Sequence, residues 1–225
     1  MTGPHDSTLT FRQMLPHLLS NPSAPEEMTE DIYEYLSPVD RSRLSLAVQA
    51  LEQLHAIKPP KSGQARGVHS SSVGVAFERV VQAMFDVSRT WTAKYNRRSL
   101  SAEFDVVLTL SPFFSTLVPM FKGATAIIMI EAKGHKSSPK TEWVNELMGL
   151  LSSHSSNMGL LVLANGNRKV EREMRMAIAL HAQRNFFIVP LGRRQIDNIL
   201  NGRSLLGVLA EQFTNASVHT TDLCI

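Results

Sequence analysis

Residues 126–136 read AIIMIEAKGHK. Ala126 to Ile130 form a short, continuous apolar run rich in β-branched side chains. Its length and composition predict a buried strand rather than an amphipathic one, which would alternate. A strand without a polar face needs cover on both sides. This run therefore reads as the central, buried strand around which the rest of the chain must be arranged. The run then ends abruptly in Glu131-Ala132-Lys133. Residues two apart in a strand point to the same side, so Glu131 and Lys133 project together while Ala132 points away into packing.

The surrounding chain supplies the other layers. Residues 91–97 and 102–110 read as strands, as do 159–166 and 186–192. Helical spacing marks 74–88, with Phe77, Val80, Val81 and Met84 on one face, then 141–154, 168–185 and two segments near the C-terminus. The order is helix, three strands, helix, strand, helix, strand, helix. Adjacent strands followed by helix-linked ones predict an α/β fold with a mixed sheet of about five strands. Upstream, 26–57 reads as two helices separated at Ser37-Pro38, with Ser37 an N-cap and Pro38 in the first turn. The stretch KPPKSGQARGVHSSS, 58–72, is rich in Pro, Gly and Ser and its charges are positive, which reads as a linker. The expected division is a helical N-terminal accessory region (1–57), the linker (58–72) and a main domain (73–225).

With 225 residues, 43% apolar and 19% charged, the chain can bury a sizeable core. No run of about 18 apolar residues predicts a membrane span, and no leader pattern opens the chain. One cysteine, Cys224, cannot form an internal disulfide, which fits a reducing, cytoplasmic setting. The eight histidines show no metal-ligand spacing, and no phosphate-binding glycine loop is present. A net charge of +3 and a pI of about 9.2 permit nucleic-acid binding without indicating it.

The chemistry concentrates where strands end. Asp105 opens the apolar run of the strand before Glu131. If the two strands are neighbours, Asp105 and Glu131 converge at one end of the sheet. Two close carboxylates repel unless a cation lies between them, and Mg²⁺ prefers oxygen ligands while keeping several waters. Lys133 beside such an ion can orient or help deprotonate a water, or stabilise an oxyanion. Two carboxylates, a metal and a lysine suit phosphodiester hydrolysis. A generic Glu-x-Lys at a strand end is a solvated surface pair worth about 0–1 kcal/mol. The company of Asp105 and the strand context set this one apart.

Phe104-Asp105-Val106-Val107-Leu108 followed by Ile130-Glu131-Ala132-Lys133 resembles the core motif of the PD-(D/E)XK nucleases, the restriction-endonuclease-like fold. Gly74-Val75-Ala76-Phe77-Glu78 resembles the acidic helix that precedes the first core strand in many members. Phe104 stands where the family name has proline. The resemblance covers about residues 74–192. It implies Mg²⁺ or Mn²⁺ held by Asp105, Glu131 and the Ala132 carbonyl, with Glu78 assisting, and Lys133 as the catalytic lysine. It implies a metal-dependent endonuclease acting on DNA, in a setting of restriction or defence, and a homodimer that supplies two sites for two strands. Two other readings remain open: a nuclease subunit of a larger protein complex that needs its partner for activity, and a non-catalytic nucleic-acid-binding module. Phosphate contacts are expected from basic residues in loops near the strand ends: His135, Lys136, Arg168, Lys169, Arg193 and Arg194. In the helix after Lys133, which begins Lys140-Thr141-Glu142, no residue stands out. Phe113, Phe114, Met120 and Phe121 read as core cover or as a self-association surface.

Overall fold

A computed structural model of the chain describes residues 36–86, 91–98, 103–110, 125–134, 140–164 and 172–221. The expected helix before Ser37, the Phe113–Phe121 connection and Cys224 lie outside these residues. The chain enters through α1 (Pro38–Ala56), and the Ser37 hydroxyl caps it by accepting from Asp40 N at 3.2 Å. Then come α2 (Gly63–Phe85), β1 (Trp91–Arg98), β2 (Glu103–Leu110), β3 (Ile127–Lys133), α3 (Thr141–Ser153), β4 (Met158–Leu163), α4 (Arg172–Ala182), β5 (Phe187–Leu191), α5 (Arg193–Leu200) and α6 (Leu205–Thr221). The stretch expected to be a linker is helical from Gly63 onward. The Ser and Gly residues of 63–72 are weak helix formers. The helix nonetheless runs through them, continuous with the half of α2 that packs on the sheet.

The five strands form one sheet in the order β1-β2-β3-β4-β5. β1, β2 and β3 pair antiparallel, whereas β3, β4 and β5 pair parallel. The expected mixed sheet with helices on both faces is thus observed, and β3 is its middle strand. Alternation along each strand divides the core in two. Leu108, Ile128, Ile130, Leu160, Val162 and Val189 face α1, α2 and the first turns of α6. Met129, Leu161, Leu163 and Ile188 face α3 and α4. All six residues of β4 are buried, as a central strand covered on both faces requires.

Two glycines mark where helices touch the sheet. A Cβ on Gly159 would lie 3.0 Å from a Leu147 methyl, so α3 rests directly on β4. A Cβ on Gly134 would lie 2.9 Å from the Phe77 Cβ and 3.3 Å from the Val73 carbonyl, so α2 abuts the end of β3. The start of β3 is pinned by Ser156, whose hydroxyl donates to the Ile127 carbonyl at 2.7 Å. No helix among the described residues is long and apolar enough to cross a membrane.

Candidate active site

The site begins where two strands part. The β2–β3 ladder runs from Thr109–Ile127 to Val106–Ile130. Beyond it, β2 continues its pairing with β1 through Arg97–Phe104 and Arg98–Glu103. β3 continues with β4 through Lys133–Leu163. Leu110 N donates to Ala126 O at 2.8 Å, which makes Leu110–Ala126, Leu108–Ile128 and Val106–Ile130 the hydrogen-bonded pairs. The next such pair would be Phe104–Ala132. Instead, Ala132 N donates to Asp105 Oδ2 at 2.7 Å. A carboxylate has replaced a backbone carbonyl as the partner of the strand, a charge-assisted bond worth about 1.5–3 kcal/mol. A residue in such a pair directs its N–H and C=O to the same side. The Ala132 carbonyl is therefore directed into the gap that Asp105 occupies.

Asp105 shares a sheet face with Val107, and Glu131 and Lys133 share that face with Met129, on the α3 side. In β4, the partners of Glu131 and Lys133 are Leu161 and Leu163, both buried. This apolar wall is why Glu131 and Lys133 keep only 16% and 20% of their side-chain surface exposed. Lys133 Nζ lies 2.7 Å from Glu131 Oε1 and 3.3 Å from Glu146 Oε2. It also stands 5.9 Å from the centre of the Trp143 ring, over its face, a weak cation–π contact.

Burial pushes the Glu131 carboxyl above the ordinary carboxylate range, and the neighbouring Asp105 charge adds to the effect. The bond from Lys133 counteracts this without cancelling it. For Lys133, burial pulls downward, but the bonds and charges of Glu131 and Glu146 outweigh it and hold the ammonium above its usual value. The lysine is therefore protonated at neutral pH, a donor and point charge. Among the described residues, the carboxylates of Glu131 and Glu146 gather around the Lys133 ammonium, with the Asp105 charge acting on Glu131.

The structure brings Asp105, Glu131, the Ala132 carbonyl and Lys133 together. Glu78 is half-buried on α2, next to the Phe77 that packs on Gly134. Among the described residues, the charges acting on Glu131 include Asp105, Lys133 and Glu146. Arg193 is held by Glu52 at 2.5 Å and Asp197 at 2.7 Å, so it ties α1 to α5. Arg194 is exposed at the start of α5. Both arginines follow the C-terminal end of β5, the same sheet edge as Glu131 and Lys133. His135, Lys136, Arg168 and Lys169 lie outside the described residues.

Glu146 and Trp143 were not singled out by sequence, yet both meet Lys133. They lie three apart on α3 beside its buried stripe of Val144, Leu147 and Leu151. Their place at the margin of that stripe, in the helix following the Glu-x-Lys strand, is the signal that would have found them.

Among the described residues, no group of three or more His, Cys, Asp or Glu side chains is arranged to hold a metal. The available donors are two carboxylates and one main-chain carbonyl. That set fits Mg²⁺, which is commonly bound through one or two carboxylates, waters and substrate phosphates rather than a full protein cage. Comparison with protein-family models, with curated proteins and with solved structures found no match to this chain.

Proposed function

We propose that the chain is a metal-dependent nuclease on a restriction-endonuclease-like fold, hydrolysing phosphodiester bonds in DNA. The observation that carries this reading is the parting of β2 from β3, with Asp105 bridging the gap and Glu131 and Lys133 on one face beside it. Element order supports it too: a helix with Glu78, a strand, the Asp105 strand, the Glu131–Lys133 strand, a helix and a parallel strand.

In this reading Asp105, Glu131 and the Ala132 carbonyl hold Mg²⁺ or Mn²⁺. The ion, when bound, polarises the phosphoryl oxygen and lowers the pKa of an attacking water. Lys133 would donate from its ammonium to a non-bridging oxygen of the scissile phosphate as negative charge develops. Glu131 and Glu146 hold that ammonium at the site, and Leu161 and Leu163 form its apolar side. Glu78, on α2, is the carboxylate that would assist in holding the ion. Two copies of the chain would supply the two sites needed to cut both strands of a duplex.

The test is cleavage of supercoiled plasmid by purified protein in Mg²⁺, Mn²⁺ or EDTA, with Asp105→Ala and Lys133→Ala in parallel. Metal-dependent nicking or linearisation, lost in both variants, is the expected result. Folded protein that does not cut moves the reading to a partner-dependent subunit or a non-catalytic nucleic-acid-binding module. Cleavage that survives both substitutions defeats the assignment of the site.

A further inference from the structure

Residues 53–77 contain no Asp or Glu, but carry Lys58, Lys61 and Arg66 together with His55 and His69. The segment spans the end of α1, the connection and α2 as far as Phe77. Where the two helices meet they enclose an open pocket of about 300 Å³, whose lining includes His55, Arg66, His69, Ser70, Ile57 and Val73. Arg66, His69 and Ser70 follow one another at helical spacings of three and four, so they present one face. His55 reaches in from α1. Its Nε2 lies 3.0 Å from the Gly134 carbonyl, a contact that bonds when this nitrogen carries the proton. Val73, at the floor, also borders Gly134. The pocket therefore adjoins the residue immediately after Lys133, on the α2 side of the sheet. No carboxylate among the described residues pairs with Arg66 or His69.

A concave site with cationic donors on one helix face and an apolar wall suits a ligand that is half anion and half apolar. A nucleotide has that character: its phosphate meets Arg66 and the hydroxyl of Ser70, and its sugar and base lie against Ile57 and Val73 between the imidazoles. Resting on the nuclease reading for the identity of the strand, we propose that this pocket receives one nucleotide of the substrate strand flanking the scissile phosphate. The strand crosses the end of the sheet, with its reacting phosphate on the Lys133 side and a neighbouring nucleotide on the His55 side. The positive stretch after α1 is then part of the substrate path.

The experiment is fluorescence anisotropy with a short labelled single-stranded oligodeoxynucleotide in EDTA, so that binding is read without cleavage. Wild type and an Arg66→Ala/His69→Ala variant are compared across a salt titration, with circular-dichroism melts as the folding control. Both side chains reach solvent, so the variant is expected to melt as wild type. It should bind about tenfold more weakly, with a salt slope reduced by about one. A deoxynucleoside monophosphate should displace the oligonucleotide from wild type at lower concentration than inorganic phosphate does. The proposal is overturned if the variant keeps wild-type affinity and salt slope, if inorganic phosphate competes equally well, or if wild type does not bind. Loss of binding in the variant, in a protein that never cuts plasmid, would retain the pocket and move the proposed function to a partner-dependent subunit or a non-catalytic nucleic-acid-binding module. Plasmid cutting together with unchanged binding by the variant would retain the nuclease reading and remove the pocket.

Discussion

The two edges of β3 are built from the same seven residues and serve opposite ends. Toward β4, the ladder runs to Lys133, and every β4 residue facing it is buried. Toward β2, the ladder stops at Ile130, and the next N–H of that edge goes to the Asp105 carboxylate. One edge spends its backbone groups on continuity. The other ends continuity early and so obtains a rigid gap lined by charge. The rigidity of the first makes the second usable, because Glu131 and Lys133 are positioned by the strand and by Leu161 and Leu163 rather than by a loop.

The comparison breaks most sharply if the open edge proves inert. Lys133→Ala should lower plasmid cleavage by about 10²–10⁴-fold and, by stripping Glu131 of its cation, also lower the melting temperature, so initial rates are compared per folded molecule by circular dichroism. The laddered edge predicts a loss of stability alone. Leu160→Ala, at a fully buried position, should cost about 2–5 kcal/mol in urea unfolding, with cleavage per folded molecule retained. Asp105 lies at the open edge alone and joins a structural role there to the proposed catalytic one. Asp105→Asn keeps an acceptor for Ala132 N and should stay folded but inactive. Asp105→Ala should lose activity and in addition about 1.5–3 kcal/mol.

Smaller effects sharpen the electrostatics. Glu131 is held above the ordinary carboxylate range by burial and by Asp105. A carboxyl whose folded pKa is raised contributes stability below its unfolded value, and loses it as pH rises through the folded value. At neutral pH its ionisation therefore opposes folding. In EDTA, Glu131→Gln should melt above wild type at neutral pH, with the gap closing as the pH is lowered into the ordinary carboxylate range of about 4. Mg²⁺ should raise the wild-type melting temperature and leave Glu131→Gln unmoved. Smallest of all, Glu146→Ala removes a partner of Lys133 that is itself 58% exposed. It should alter stability by less than about 1 kcal/mol, and any change in cleavage rate measures how far Glu146 positions the lysine.

Much of this was legible in the chain. The helix beginning at Pro38, the five strands and the helices after β2 all follow from periodicity and turn residues. Asp105, Glu131 and Lys133 could be picked out because each interrupts or ends an apolar run, where a charge must have a reason. Other features were hidden by locality. Residues 58–72 have a loop's composition, and propensity could not foresee that packing downstream would carry a helix back to Gly63. Glu146 and Trp143 look like ordinary helix-surface residues until α3 is laid beside β3. Arg193 looked like a free phosphate donor, yet Glu52, far away in sequence, claims it.

The sequence by itself determined the layers: β-branched runs bury as strands, amphipathic stripes become the helices that cover them, and alternation puts Glu131 and Lys133 on one face. Only the tertiary structure decided where β2 leaves β3, that Asp105 answers the Ala132 N–H, and that two leucines desolvate the pair. Period and composition act between near neighbours along the chain, whereas a carboxylate's partner, its burial and hence its charge are set by groups that folding brings from elsewhere.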